Sequence, residues 1–178
     1  MKRPTNLFIP LAGLSLALCI ISWPILTTLA WHLRYGSHIA SGGKTFDVPW
    51  RWQAKIEGRT VRMTRLPYTA LSNLSAMTMI SLWPVPSPPK DELDKESAYK
   101  SFADVYWAYL AGNPPTVIKG PERRGTGEKE LVCMEARPKP QSHGIILSCL
   151  VFRGTWYATL YGNQNEVDAF YEIIQTSK

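Results

Sequence analysis

No charged residue occurs from Pro4 to Trp31, and that interval constrains the chain more than any other feature. The 25 residues from Leu7 to Trp31 read LFIPLAGLSLALCIISWPILTTLAW. As a helix they would extend roughly 37 Å at ~1.5 Å per residue, against a bilayer hydrocarbon core of about 30 Å. Pro10 falls in the first turn, where its missing N–H costs little. Pro24 lies inside and predicts a kink of a kind that membrane helices tolerate. A core helix of a soluble domain would keep one polar side, and this segment has none. The competing reading is a cleaved signal peptide with Thr28-Leu29-Ala30 as its small-x-small site. The apolar region of such a peptide runs only about 7–15 residues, so length favours a retained signal-anchor.

Charge sets the expected orientation. Lys2, Arg3 and the amino terminus crowd the short side, while Arg34 and then Lys44 are more dispersed on the other. The positive-inside rule then places the N-terminus in the cytoplasm and the remainder in the periplasm or cell exterior. Trp31, His32 and Tyr35 fit an aromatic belt at the helix exit. The expected organisation is a cytoplasmic stub and transmembrane helix over 1–35, a juxtamembrane linker over 36–43, and an extracytoplasmic domain over 44–178.

The net charge of +6 is uneven. Three basic and no acidic residues occur through Arg34, six basic and two acidic from Lys44 to Arg65, and eleven basic and twelve acidic from Lys90 onward. The positive charge is thus concentrated beside the anchor. A high pI often signals nucleic acid, but this placement points to anionic headgroups or an acidic neighbour instead. An ordinary solvated hairpin face gives the same pattern. The residues concerned are Trp50, Arg51, Trp52, Lys55, Arg59, Arg62 and Arg65.

Fourteen prolines and seven tryptophans disfavour a long helical bundle and suit strands joined by many turns. Asp47 to Ile56 alternates, with Trp50, Trp52 and Ala54 on one side and Arg51, Gln53 and Lys55 on the other. Glu57-Gly58 marks a turn, and Arg59 to Leu66 alternates again. Leu74 to Trp83 is apolar on both faces, which fits a central strand. The proline run from Pro84 to Pro89 is a stiff connector. Asp91 to Ala111 reads as a helix, with Asp91, Glu92 and Asp94 at the positive end of its dipole and Tyr99, Phe102, Tyr106, Tyr109 and Leu110 as an apolar stripe. Thr116 to Lys119 is a short strand and Gly120 to Gly127 a loop. Two strands surround Cys133 and Cys149, another covers Thr155 to Tyr161, and an Asn163–Glu166 capping box opens a terminal helix carrying Val167, Phe170, Tyr171 and Ile174.

The order defines an α+β domain, a mainly antiparallel sheet packed with two helices. It resembles the Mog1/PsbP-type arrangement, in which helices sandwich a sheet. That resemblance implies architecture alone and transfers no residue role.

Cys19 lies in the apolar segment and reads as a small hydrophobe. If Arg137 pairs with Ile145, Cys133 stands directly opposite Cys149. Directly opposed Cβ atoms lie about 4.5–5.5 Å apart, somewhat wide of the usual disulfide value of about 3.8 Å. A disulfide in an oxidising compartment and a pair of reduced core cysteines are both compatible with this pattern.

Chemistry is sparse. The histidines are His32, His38 and His143, and none has zinc-ligand spacing with a cysteine or carboxylate. The Gly120–Gly127 segment lacks the lysine and following helix of a phosphate loop. Asn73-Leu74-Ser75 fits a glycosylation sequon. No cofactor or metal is expected. The expected function is a membrane-anchored, non-enzymatic interaction or assembly module, with the bilayer and a protein as partners and no nucleic acid. One alternative is a small-ligand or lipid binder using Trp107, Trp156 and Tyr157, which requires an apolar cavity of several hundred Å³. The other is a small envelope hydrolase using Ser148 or His143, which requires a pocket gathering at least two titratable groups.

Overall fold

A computed structural model of the chain describes residues 8–66, 77–112, 116–137 and 144–178, with backbone alone at 8–12, 107–112 and 116–118. The uncharged interval forms helix α1, Phe8–Tyr35, with Pro24 inside it. Within α1, Gly13–Tyr35 is long and apolar enough to cross a membrane, and little of it is buried. Leu14, Leu16, Leu18, Ile20 and Trp23 all face outward. The helix stops at Gly36, which adopts φ 79° and donates its N–H to the His32 carbonyl at 2.9 Å. Glycine adopts that left-handed conformation without steric cost.

The segment 36–43, expected as a linker, contains most of a hairpin. Strand β1 (His38–Ser41) pairs antiparallel with β2 (Lys44–Asp47). Gly42 and Gly43 form its two-residue turn at φ 57° and 77°, the conformation that two-residue hairpin loops favour. Gly42 has a second constraint, because a Cβ there would meet the Trp156 indole at 2.7 Å. The chain terminus locks this hairpin in place: Thr45 and Lys178 exchange backbone hydrogen bonds of 2.8 and 3.0 Å.

Asp47 to Ile56 does not form the single strand expected from its alternation. The chain turns through Trp50 and Arg51, the latter at φ 79°, before β3 (Trp52–Glu57) begins. The turn separates the two tryptophans: Trp52 is 2% exposed and Trp50 58%. Strand β4 (Thr60–Arg65) pairs with β3 in the expected hairpin, placing Ala54 opposite Met63 and Lys55 opposite Arg62. Strand β5 (Thr78–Pro84) covers the later part of the strand expected from Leu74, and positions 74–76 lie outside the described residues. The sequon at Asn73 lies outside the described residues.

Helix α2 (Glu92–Gly112) follows, then β6 (Thr116–Arg124), β7 (Leu131–Arg137), β8 (Gly144–Val151), β9 (Trp156–Asn163) and α3 (Val167–Thr176). The expected loop at Gly120 is corrected: β6 runs on through Pro121 to Arg124, with register shifts after Val117 and Lys119. An edge strand tolerates both a proline and bulges, since half its backbone groups need no strand partner. The strands form one antiparallel sheet in the order β3-β4-β5-β9-β8-β7-β6. The α+β expectation therefore stands.

Helices cover both faces. On one side α3 buries Phe170, Ile173 and Ile174 against Met63, Leu82 and Leu147, each such side chain contributing about 1.5–3 kcal/mol. The capping box before α3 is only half formed. Asn163 accepts a bond from the Asn165 N–H at 3.3 Å, but the Glu166 carboxylate turns away to pair with Arg65 of β4. On the other side α2 sets Tyr99 against Val132 and Leu150.

Charges fasten the start of α2. Asp91 accepts a bond from the Asp94 N–H at 2.8 Å, as an N-cap does. Lys95 is buried and bonds Glu130 at 2.8 Å and Glu92. Arg123 of β6 bonds Glu96 at 2.6 Å and stands 3.4 Å from Glu130. Burial pushes the neighbouring Tyr99 phenol up to about 12, so it stays neutral.

Cys133 and Cys149 are direct partners between β7 and β8, with Cα atoms 4.1 Å apart, and are disulfide-bonded. They are 3% and 1% exposed within the α3-side core. Cys19 is a free, exposed thiol on α1.

Candidate functional site

Two concave surfaces stand out, one on the α2 face of the sheet and one at its β3 edge beside α1. Neither edge itself invites another strand. Edge strand β6 carries Pro121, two register shifts and the charges of Lys119, Glu122, Arg123 and Arg124, all features that oppose edge pairing. At the other edge, β3 is covered by α1: Trp31 donates its indole N–H to the Ala54 carbonyl at 3.0 Å. Gln53 extends the joint by donating its side-chain amide to the hydroxyls of Thr27 (3.3 Å) and Thr28 (3.2 Å). Those hydroxyls in turn donate to the Pro24 carbonyl at 3.0 and 2.8 Å. The result is a continuous polar link from the inside of α1 to the edge of the sheet.

The first concavity lies between α2 and the sheet and has a volume of about 500 Å³. Its floor follows directly from strand register. Trp83, Tyr157 and Leu150 form one row across β5, β9 and β8. The next row on the same face is Ser81, Thr159 and Ser148. Period-2 alternation puts both rows on the face that α2 covers, and all of them but Ser81 line the cleft. Phe102, Val105 and Tyr106 of α2 form the opposing wall. Phe102 stacks with Tyr106 at 5.9 Å and lies 6.1 Å from Tyr157. Ser148 and Thr159 are buried, with their hydroxyls 3.5 Å apart. The cleft thus combines aromatic walls with a pair of hydroxyls. Among the described residues, no histidine and no carboxylate line it.

The second concavity has a volume of about 790 Å³ and lies where α1 meets β1, β3 and β4. Trp31 and Tyr35 of α1, Ala40 of β1, Ile56 of β3 and Met77 bound it.

The hairpin residues singled out by their sequence do not form one patch. Trp52 is buried in the core, whereas exposed Trp50 lies beside His32, ring centroids 5.4 Å apart. Lys55 and Arg62 share the outward face and both pair with Glu57, the Arg62 contact being 2.8 Å. Those two cations, hydrogen-bonding from Lys55 foremost, hold the Glu57 carboxyl below its ordinary range. Arg65 points to the α3 side and meets Glu166. Arg59 lies exposed at the hairpin turn, and Arg51 occupies the strained turn before β3.

The aromatic residues named for ligand binding also separate. Tyr157 lines the α2 cleft and Trp156 sits in the opposite core, while the Trp107 side chain lies outside the described residues. His143 is likewise outside them, and His38 bonds Asp47 at 2.7 Å on the far hairpin. Among the described residues no cluster of metal-binding side chains occurs. The hydroxyl row was not anticipated, although a signal existed in three hydroxyl residues at alternate-face positions of otherwise apolar strands. No protein-family model and no curated protein matches the chain.

Proposed function

We propose that this protein is a membrane-anchored, non-enzymatic binding module, held on the extracytoplasmic side by α1, which receives a partner in the cleft beneath α2. The observation that carries the proposal is the cleft itself. It has aromatic side chains from α2, β5 and β9, a buried pair of hydroxyls and, among the described residues, no histidine or carboxylate for acid–base chemistry. The buried disulfide supports an oxidising compartment, and the outward-facing leucines of α1 support a lipid environment. The charge asymmetry around α1 supports the cytoplasmic N-terminus. Helices on both faces of the sheet also support reading the domain as a Mog1/PsbP-type arrangement, as an analogy of architecture that assigns no residue a role.

The cleft's open rim favours an apolar side chain or segment of a partner protein: Val105 stands there 70% exposed. A photo-crosslinking residue at Val105, in membranes of the native host, is expected to yield a discrete adduct. The same group at Leu93, exposed on α2 but outside the cleft, is expected to yield none. Absence of any protein adduct from Val105 contradicts this reading. The cleft's size also fits a small apolar ligand, and a bound compound of a few hundred daltons in native mass spectra is the sign of that second reading.

A further inference from the structure

The groove between α1 and the hairpin edge lies apart from the α2 cleft, and we propose that it holds one anionic phospholipid of the bilayer in which α1 is anchored. The inference rests on the anchored reading of α1. Helix α1 has 28 residues and so extends about 42 Å, some two turns beyond a hydrocarbon core of about 30 Å. Arg34, the one charged side chain of α1, sets its end of the helix at the bilayer interface, and that same end carries Trp31 and Tyr35, which are groove walls. The bonds from Trp31 to Ala54 and from Gln53 to Thr27 and Thr28 hold β3 against that end of the helix. The groove is thereby continuous with the lipid-facing surface of the anchor, at headgroup depth.

Its surface chemistry matches a lipid at both ends. Tyr35, Ile56 and Met77 border the groove with 57%, 48% and 40% of their surfaces exposed. An acyl chain laid between them would cover this apolar surface. Lys55 lines the groove, and Arg62 stands directly opposite it on the same face. The two share the single carboxylate of Glu57, leaving one positive charge over for a phosphate. Exposed Arg34 lies on the neighbouring turn of α1. A zwitterionic headgroup would bring its own cation to this rim, whereas an anionic one complements it.

The test is native mass spectrometry of the full chain in mild detergent, with equimolar phosphatidylglycerol and phosphatidylcholine added. One phosphatidylglycerol per chain is expected, retained under activation that strips phosphatidylcholine. Ala40→Trp places an indole from an exposed position into the groove, and Lys55→Glu reverses a rim charge. Each is expected to reduce the phosphatidylglycerol adduct roughly tenfold, and the two together to leave thermal unfolding near that of the parent. Equal retention of both lipids, adducts indifferent to both substitutions, or a dimer that carries no lipid overturns the proposal. Carbonate extraction of membranes reports separately on the anchor: release of the chain sinks the anchored reading whatever the lipid spectra show.

Discussion

Trp31 of the apolar helix and Ala54 of the sheet edge are joined by an indole N–H···O=C bond of 3.0 Å, across 23 positions of sequence. The bond does two things at once. It covers a backbone carbonyl that an edge strand would otherwise expose, and it makes the helix and the folded domain parts of one body. A chain in which helix and domain merely followed one another through a linker would have no such contact.

Trp31→Phe removes this bond while keeping an aromatic ring in place. A loss of about 1 kcal/mol is expected, the net contribution of one hydrogen bond. Hydrogen exchange should locate it: amides of β3 from Trp52 to Glu57 are expected to exchange faster, and those of β8 to remain unchanged. Uniform acceleration throughout the sheet would show that Trp31 acts through general packing.

The disulfide predicts a simple chemical pattern. Alkylation of the unreduced, unfolded chain is expected to modify Cys19 alone, because Cys133 and Cys149 are bonded. The bridge closes a loop with a sequence separation of 16, and a loop of that length corresponds to about 3 kcal/mol in the chain-entropy picture. Replacing both cysteines with alanine is expected to lower stability by about that amount, read from the urea midpoint. This register was legible in sequence, because a short connection between two apolar strands leaves few pairings that keep both inner faces buried.

Other elements were legible only in part, for identifiable reasons. Asp47 to Ile56 alternates as a strand should, but Pro49 and the left-handed Arg51 interrupt it, so Trp50 and Trp52 part company. Gly42-Gly43 carried a hairpin signal that the nearness of the apolar segment obscured. Gly120 and Pro121 read as a loop, yet an edge strand accommodates them. The α2 cleft was illegible for a different reason: its rows join β9 to β5, which α2 and three other strands separate in sequence. No local period reports which strands become neighbours.

The Arg65–Glu166 pair joins β4 to the start of α3, with both side chains largely buried. Glu166→Ala removes the carboxylate from this largely buried pair, and about 3 kcal/mol of destabilisation is expected. Substituting both by a well-packed apolar pair should recover much of that loss. Thermal unfolding of the single and double variants distinguishes a buried pair from an inert surface contact.

The acidic residues at the start of α2 set a pH limit. Hydrogen bonding from Lys95 lowers the Glu92 carboxyl, and hydrogen bonding from Arg123 lowers that of Glu96, both from 4.5. Below 4.5 the unfolded chain takes up these protons before the folded one does, so stability falls as acid is added. The contribution is fully present above 4.5 and is lost as pH drops through the folded-state values. The α2 clamp is therefore expected to hold evenly between pH 5 and 8 and to loosen only in stronger acid, as monitored by exchange of α2 amides. Glu96→Gln should flatten part of that acid response.

The central claim is that α1 spans a membrane and delivers the domain to its far side. A tandem alkaline phosphatase–green fluorescent protein reporter fused after Lys178 of the full chain in a bacterial host tests it most directly. The phosphatase matures only outside the cytoplasm and the fluorophore only inside. An active phosphatase without fluorescence is the predicted result; fluorescence with an inactive phosphatase would contradict it and leave the Cys133–Cys149 bond without its oxidising compartment.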